Sequence, residues 1–497
     1  MDRSKKLFLN TTVSLLHQII ALICGFILPR YFLVCYGSEV NGLISSITQF
    51  LGFITLAECG VGAVVQSALY KPLADKSEDE ISKIIISAER FFKRIAAILV
   101  AYTAVLMVVY PFITIDSFDY FFTMSLIFVI SISSFAQYYF SMSYRLLLNA
   151  DQMAFVQLGT HSIALILNTV LSVLMMKYGA EVRMVKLMSS LLFLIQPLVL
   201  VWYVKKHYNI NKKLVLHEEP IKQKWNGLAQ HIAAVVLGNT DTVVLTLFSS
   251  LANVSIYAVY NLVVTGIKQI VTSMTTGMQS MLGNMYARNE NKALNETFSN
   301  FEWLLHTVTV IAFSCACFLI VPFVRVYTNG IKDTNYIVPA FAIIISLANG
   351  MYCLRLPYNM MVMAAGHYKE TQASAIFEAL INIVVSVVLV IKSGLIGVAI
   401  GTLVAMVYRT VYLAYYLSKN ILMRKMNKFV KHMIVDVICV FISTIATRWY
   451  TLGDVSYINW FLMAIKVGIT VLLVVGIINT IFYRNEMKKG ILFLIKR

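Results

Sequence analysis

Nine ionisable side chains fall within long apolar stretches or close to their ends: the cations Arg30, Lys268, Arg355, Arg409 and Lys466, and the acids Glu58, Asp241, Glu378 and Asp436. A charge in hydrocarbon is expensive, so such groups pair with one another, snorkel to an interface, or face a water-filled cavity and mark a path through it. Arginine holds oxyanions through a planar two-pronged set of donors, whereas lysine offers a compact point charge. Lys268 continues at helical spacing into Thr272, Thr275 or Thr276, and Gln279, which puts polar groups on one face of a helix. Gln230 and Asp241, about three turns apart, share a face of another. Ser14, His17, Gln49 and Glu58 supply polar groups near the start of the chain. Together these residues outline a polar cavity.

Each also has a structural reading. Lys268 can pair with Asp241, and Arg409 with Glu378 on a neighbouring helix. Lys466 and Asp436 read chiefly as structural, and His17 and His231 as hydrogen-bonded packing groups rather than a proton relay. Asp241 and Glu58 read either as holders of a coupling ion, a proton or sodium, or as structural. The seven cysteines are odd in number, lie mostly in apolar runs and lack CxxC or zinc spacing, so they read as small packing residues. The chain has neither a GxxxxGK[ST] phosphate loop nor an HExxH pair, and no soluble stretch to hold a nucleotide; no cofactor is expected.

The elements carrying these groups follow from composition. Of 497 residues, 59% are hydrophobic and 13% charged, with a mean hydropathy of +0.76, whereas soluble domains run near 45–50% apolar and about 25% charged. Apolar stretches of about 20 residues, the length that crosses a bilayer as a helix, recur from end to end. Because backbone amides in lipid must bond within their own segment or in a closed barrel, and these runs exceed barrel strands, the expectation is an all-α polytopic membrane protein. About fourteen transmembrane helices are predicted, at 11–34, 40–66, 89–115, 118–145, 151–176, 182–206, 226–248, 254–285, 297–328, 334–364, 370–391, 395–419, 428–450 and 456–482. The basic start MDRSKK precedes an apolar segment with no small-residue cleavage site, and reads as a retained first helix.

A formal charge of +17 could indicate nucleic acid, but the placement of the cations excludes it. With the N-terminus inside, 29 of the 41 Lys and Arg residues fall on cytoplasmic segments, eight on the opposite side and four in helix interiors. The positive-inside rule then places both termini in the cytoplasm and requires an even number of spans. The basic loops serve as topology signals and attract anionic lipid headgroups.

The chain also repeats itself at a separation of about 214 residues. His17 falls on His231, Val40 on Val254, Tyr144 on Tyr358, Asn168 on Asn382 and Ser172 on Ser386, with Lys177 and Gly179 falling on Lys392 and Gly394 one residue later. Six helices separate the copies, an even number, so the halves are parallel, as in transporters built from two equivalent lobes around a central cavity. The predicted organisation is a lobe at 1–210, a second at 211–425, and helices thirteen and fourteen with a cytoplasmic tail at 426–497.

Fourteen helices in this arrangement resemble the multidrug/oligosaccharidyl-lipid/polysaccharide (MOP) exporter superfamily. The first hairpin reads Pro29-Arg30-Tyr31 with Gly37 and Asn41-Gly42, and the second helix ends in AECGVGAVVQSALYKPLADKSEDEI, Ala57 to Ile81. These words are similar to Wzx-type oligosaccharide flippases, as are NTDTVVLTLF (239–248), SIYAVYN (255–261) and RLPYNMMVMAAGHYKET (355–371), whose first-half counterpart is YRLLLNADQ (144–152). Two features depart from other branches. Lipid II flippases are expected to carry Arg-Asp on helix one, where Tyr31 follows Arg30, and drug exporters an acid there, where none lies between Asp2 and Glu39.

The resemblance implies a flippase that carries polyprenyl-pyrophosphate-linked oligosaccharide from the cytoplasmic to the outer leaflet of a bacterial cytoplasmic membrane. On that reading Arg30, Lys268 and Arg355 bind the anionic headgroup, and Glu58, Asp241, Glu378 and Arg409 serve ion coupling or cavity ion pairs. A cation-coupled multidrug exporter is the alternative. The rival of another class, a membrane-embedded glycosyltransferase or polymerase, would need a sizeable outer loop, and every predicted outer loop is short.

Overall fold

Hydrocarbon gives backbone amides no partner but the chain itself, and the chain satisfies them with helices throughout. The computed structural model describes residues 3–58, 60–212, 214, 228–275, 278–484 and 486–487. Cys59, Thr276, Lys213, the rest of the basic linker at 215–227 and the basic tail from 488 lie outside the described residues. Among the described residues there is no strand.

In chain order the helices are α1 (Arg3–Gly52), α2 (Val61–Asp75), α3 (Glu78–Ile113), α4 (Tyr120–Ala136), α5 (Met142–Ala150), α6 (Ala154–Lys177), α7 (Val182–Leu192), α8 (Ile195–His207), α9 (Leu228–Phe248), α10 (Leu251–Ser273), α11 (Met278–Ala287), α12 (Asn291–Tyr327), α13 (Pro339–Leu354), α14 (Leu356–Ala364), α15 (Tyr368–Asn420), α16 (Asn427–Thr447) and α17 (Tyr457–Phe482). Twelve helical stretches among the described residues are long and apolar enough to cross a membrane. Two of these, at Lys5–Glu58 and Tyr368–Asn420, have 54 and 53 residues. A straight helix of that length would run about 80 Å, more than twice the hydrocarbon thickness of about 30 Å.

Both long helices break at a glycine: Gly37 (φ 82°, ψ 176°) in α1 and Gly394 (φ 50°, ψ −127°) in α15. In α15 the second arm folds back along the first. Asn382 Nδ2 donates to Thr402 Oγ1 at 3.0 Å, a pair that a straight helix would hold about 30 Å apart. The arms meet through glycine, since a Cβ at 401 would lie 2.7 Å from the backbone nitrogen of Ser386 and one at 397 would lie 2.3 Å from the carbonyl oxygen of Leu389. With the arms of α1 and α15 taken separately, the crossing segments match the fourteen predicted.

Where predicted boundaries fail, local chemistry explains the difference. The predicted span 254–285 is interrupted between Ser273 and Met278, and 40–66 passes through a 3-10 turn at Phe53–Glu58 before α2. The span 118–145 contains a π turn at Gln137–Ser141. The span 334–364 breaks at Arg355, because Pro357 occupies the first turn of α14. Proline lacks the amide that would continue α13 and its ring clashes with the preceding turn.

The helices group into two compact units, Met1–Asn239 and Thr240–Arg497. Within the first, the leading arm of α1 runs parallel to α6. Lys6 pairs with Asp151, His17 with Ser162 at 3.0 Å and Tyr36 with the carbonyl of Ala180 at 2.6 Å, a near-constant separation in sequence. One end of this unit is tied by polar contacts: Tyr208 donates to Asp151 at 2.6 Å, Asn209 to Glu78 at 2.9 Å and Lys212 to Glu89 at 2.9 Å. Burial, then the hydrogen bond to Asp151, hold the Tyr208 phenol above the usual tyrosine range, so it remains a neutral donor. The start of α1, the start of α3, the α5–α6 turn and the segment after α8 therefore share one side.

In the second unit, Val271, Phe298, Tyr358, Leu413 and Leu417 form one buried cluster, and Val310, Val435, Val467, Val471 and Val475 form another that binds α16 and α17 to α12. Lipid is as apolar as these side chains, so close packing rather than escape from water holds them. Positions related by the repeat take like environments within each unit. Asn168 and Asn382, Ser172 and Ser386, and Tyr144 and Tyr358 are all buried.

Candidate functional site

The break at Pro357 sets Arg355 at the junction of α13 and α14, where its guanidinium reaches across to α15 and pairs with Glu378. The same carboxylate lies 3.7 Å from Arg409 Nε. Arg409, buried on the returning arm of α15, also donates to the carbonyl of Thr371 at 3.0 Å and to the Ser374 hydroxyl. Glu378 thus bridges two arginines. On its other side Arg355 Cζ lies 4.4 Å from the Tyr352 ring centre, and Lys268 Nζ of α10 lies 4.6 Å from the same ring. An aromatic face attracts cations, and here two of them share it.

Charge does not balance in this cluster. Lys268, Arg355 and Arg409 stand against Glu378, and among the described residues no carboxylate lies within 4.0 Å of Lys268 Nζ. Asp241, whose field reaches Lys268, still leaves one positive charge in excess. In a medium of low dielectric, neighbouring like charges repel strongly, so such a cluster is best stabilised by a bound anion. The hydroxyls expected to extend it from α10 bond to the backbone instead. Thr272 donates to the Lys268 carbonyl and Thr275 to the Thr272 carbonyl, the usual habit of helical threonine.

Asp241 forms a separate nest with no ion pair to Lys268. Thr402 donates to its Oδ2 at 2.7 Å, Tyr257 to the same oxygen at 3.0 Å, and Asn382 Nδ2 to Oδ1 at 3.3 Å. Asn382 Oδ1 is buried with no hydrogen-bond partner among the described residues. One carboxylate surrounded by neutral oxygens, one of them unsatisfied, suits a small hard monovalent cation or a proton. Among the described residues no cluster of three or more His, Cys, Asp or Glu could hold a transition metal.

The remaining predicted residues lie in the first unit. Arg30 is half-buried on the leading arm of α1, in a different unit from Lys268 and Arg355. Glu58 ends the 3-10 turn and accepts a hydrogen bond from Tyr138, which the π turn presents to it. His17 contacts Ser162, and His231 Nε2 lies 2.9 Å from the carbonyl of Thr55. Lys466 is exposed on α17. Sequence reasoning missed Tyr352, as well as a buried group formed by Glu302, His306, Arg424 and His432 with Asp436. A signal for that group existed, since Glu302 and His306, and His432 and Asp436, are each four residues apart on one helix face.

The fold is similar to that of solved membrane transporters. A lipid II flippase MurJ in an inward closed conformation aligns over 97% of this chain and 100% of its own with TM-score 0.71 and 18% identity. An inward-facing multidrug resistance MATE family transporter of the MOP superfamily aligns over 83% and 98% with TM-score 0.63 and 14% identity. The Vibrio cholerae MATE transporter VcmN, in the bent form, aligns over 84% and 98% with TM-score 0.55 and 12% identity. At these identities the likeness establishes the fold. No family model matches the sequence, and no curated protein does either.

Proposed function

We propose that this protein is a flippase that moves polyprenyl-pyrophosphate-linked oligosaccharide repeat units from the cytoplasmic to the outer leaflet of a bacterial cytoplasmic membrane, by alternating access, for polysaccharide biosynthesis. Both termini lie in the cytoplasm. The observation that carries the reading is the surplus positive charge of Lys268, Arg355 and Arg409 about one carboxylate and one tyrosine ring. A pyrophosphate supplies the missing negative charge. Arg355 grips it with the donors that Glu378 leaves open, Lys268 adds a point charge, and Arg409 with Glu378 holds Arg355 in place. Arg30 is the candidate contact from the N-terminal lobe.

The likeness to a lipid II flippase over nearly the whole chain supports this over the multidrug alternative. A cluster with excess positive charge would also repel cationic drugs. The Asp241 nest is the proposed seat of a coupling ion, a proton or sodium. Glu58 is a second candidate. With no nucleotide-binding motif, an ion gradient, the membrane potential or product consumption supplies the energy.

The test is transport by charge-neutralised variants. Lys268→Gln and Arg355→Gln reduce flipping of a pyrophosphate-linked glycan in proteoliposomes by tenfold or more, about the loss of one charge-assisted contact, at normal protein abundance. Arg355→Lys restores only part of it. Wild-type flipping by the double neutral variant would reject the mechanism.

A further inference from the structure

Where the second repeated lobe meets the appended helices, five ionisable side chains come together in the second unit. On α12, Glu302 is fully buried and accepts two hydrogen bonds from Arg424, at 2.5 and 2.7 Å. Arg424 belongs to the connection between α15 and α16. One turn along α12, His306 is buried with Nδ1 2.5 Å from Asp436 of α16 and Nε2 2.9 Å from the Tyr358 hydroxyl of α14. That hydroxyl in turn faces Glu302. His432, on α16, stacks on Tyr483 after α17, with Nδ1 2.8 Å from its hydroxyl and Nε2 3.8 Å from Glu302.

Two carboxylates and one arginine leave this group one negative charge in excess when both imidazoles are neutral. A single added proton makes it neutral. His306 is placed to take it, because each ring nitrogen already has an oxygen in reach. When His306 is neutral, the Tyr358 hydroxyl donates to Nε2; when it is protonated, Nε2–H donates to Tyr358, whose own proton turns toward Glu302. The change requires one hydroxyl to rotate and no heavy atom to move. His432, with Tyr483 at Nδ1 and only a distant carboxylate at Nε2, lacks such a second acceptor. A small cavity lined by Trp303, Thr307, Cys439, Val475 and Asn479 lies beside the His306–Asp436 pair.

We propose that His306 binds one exchangeable proton, and that this proton fastens α16 and α17 to α12 and α14 by turning the His306–Asp436 contact from a hydrogen bond between a neutral ring and a carboxylate into an ion pair. Opposite charges in a poorly hydrated interior attract more strongly than a neutral donor and a carboxylate do. Loss of the proton weakens the clasp between the appended helix pair and the rest of the unit. The site is distinct from the Lys268 cluster and from Asp241, and the inference stands whatever molecule the protein carries.

The test uses the full-length protein in micelles with its histidines labelled with nitrogen-15. The protein has eight histidines, and the His306 resonances are assigned by their absence from His306→Gln. In the wild type they report a ring that is doubly protonated at the acid end of the range in which the protein stays folded and reverts to neutral on alkalinisation. Asp436→Asn lowers the ratio of cationic to neutral His306 by about tenfold or more, the equivalent of one lost charge partner. Tyr358→Phe lowers it in the same direction by less. Should Asp436→Asn fail to fold, Tyr358→Phe decides alone. A His306 ring that is neutral wherever the protein is folded, or whose protonation ignores the Tyr358 substitution, overturns the proposal.

Discussion

Among individual residues, the sharpest contrast lies between Glu378 and Lys268. Glu378 compensates two buried guanidiniums, so Glu378→Gln leaves both uncovered, and breaking a buried pair costs about 3–5 kcal/mol. The expected outcome is a clear fall in the unfolding temperature of the purified protein. Lys268 has a tyrosine face and, among the described residues, no close carboxylate, so Lys268→Gln should leave that temperature near wild type while reducing transport. Equal destabilisation by both would mean that Lys268 is structural. At the Asp241 nest, Asp241→Asn removes the only formal negative charge, and the expected result is loss of any sodium- or proton-gradient dependence of transport. Unchanged gradient dependence would exclude Asp241 as the coupling seat. The sequence marked Asp241, Arg355, Glu378 and Arg409 because ionisable groups in apolar runs are rare. It did not mark Tyr352, because a tyrosine in an apolar helix looks like any other packing residue.

At the level of elements, glycine and proline decide how helices become hairpins and junctions. The close approach of the two arms of α15 leaves no room for a side chain at 397 or 401. Gly401→Val should therefore cost roughly 1–3 kcal/mol or prevent folding, since overpacking of a tight contact carries that penalty. Gly468→Ala on α17, with nothing within 4 Å of the added carbon, should be harmless. Fluorescence-detected size-exclusion chromatography compares the two, and equal monodisperse yields would contradict the packing account. Pro357 has a different task. Pro357→Ala restores an amide where α13 could continue, which should shift Arg355 away from Glu378 and lower transport more than stability. Helix existence was legible in the sequence from length and hydropathy, whereas interruptions at Ser273, Arg355 and the π turn were not, because each depends on which neighbours satisfy the freed backbone groups.

For the whole molecule, the prediction concerns sidedness. Contacts in the first unit join the start of α1, the start of α3 and the segment after α8 on one side, and the proposed orientation makes that side cytoplasmic. A cysteine at position 76 should resist an impermeant thiol reagent in intact cells, and one at position 454 should react; the reverse pattern would invert the orientation. The sequence by itself determined the solvent, the helical class, the number of crossings and the candidate charges, because the cost of exposing polar groups to lipid acts on composition and spacing alone. Only the tertiary structure decided the partners. It gave Glu378 to Arg355 and Arg409, gave Asp241 to Thr402 and Asn382 rather than to Lys268, and drew His306, Asp436, Glu302 and Arg424 from three stretches of chain into one buried group. Partner choice depends on where helices bend and which faces meet, and those are set by packing between segments far apart in sequence.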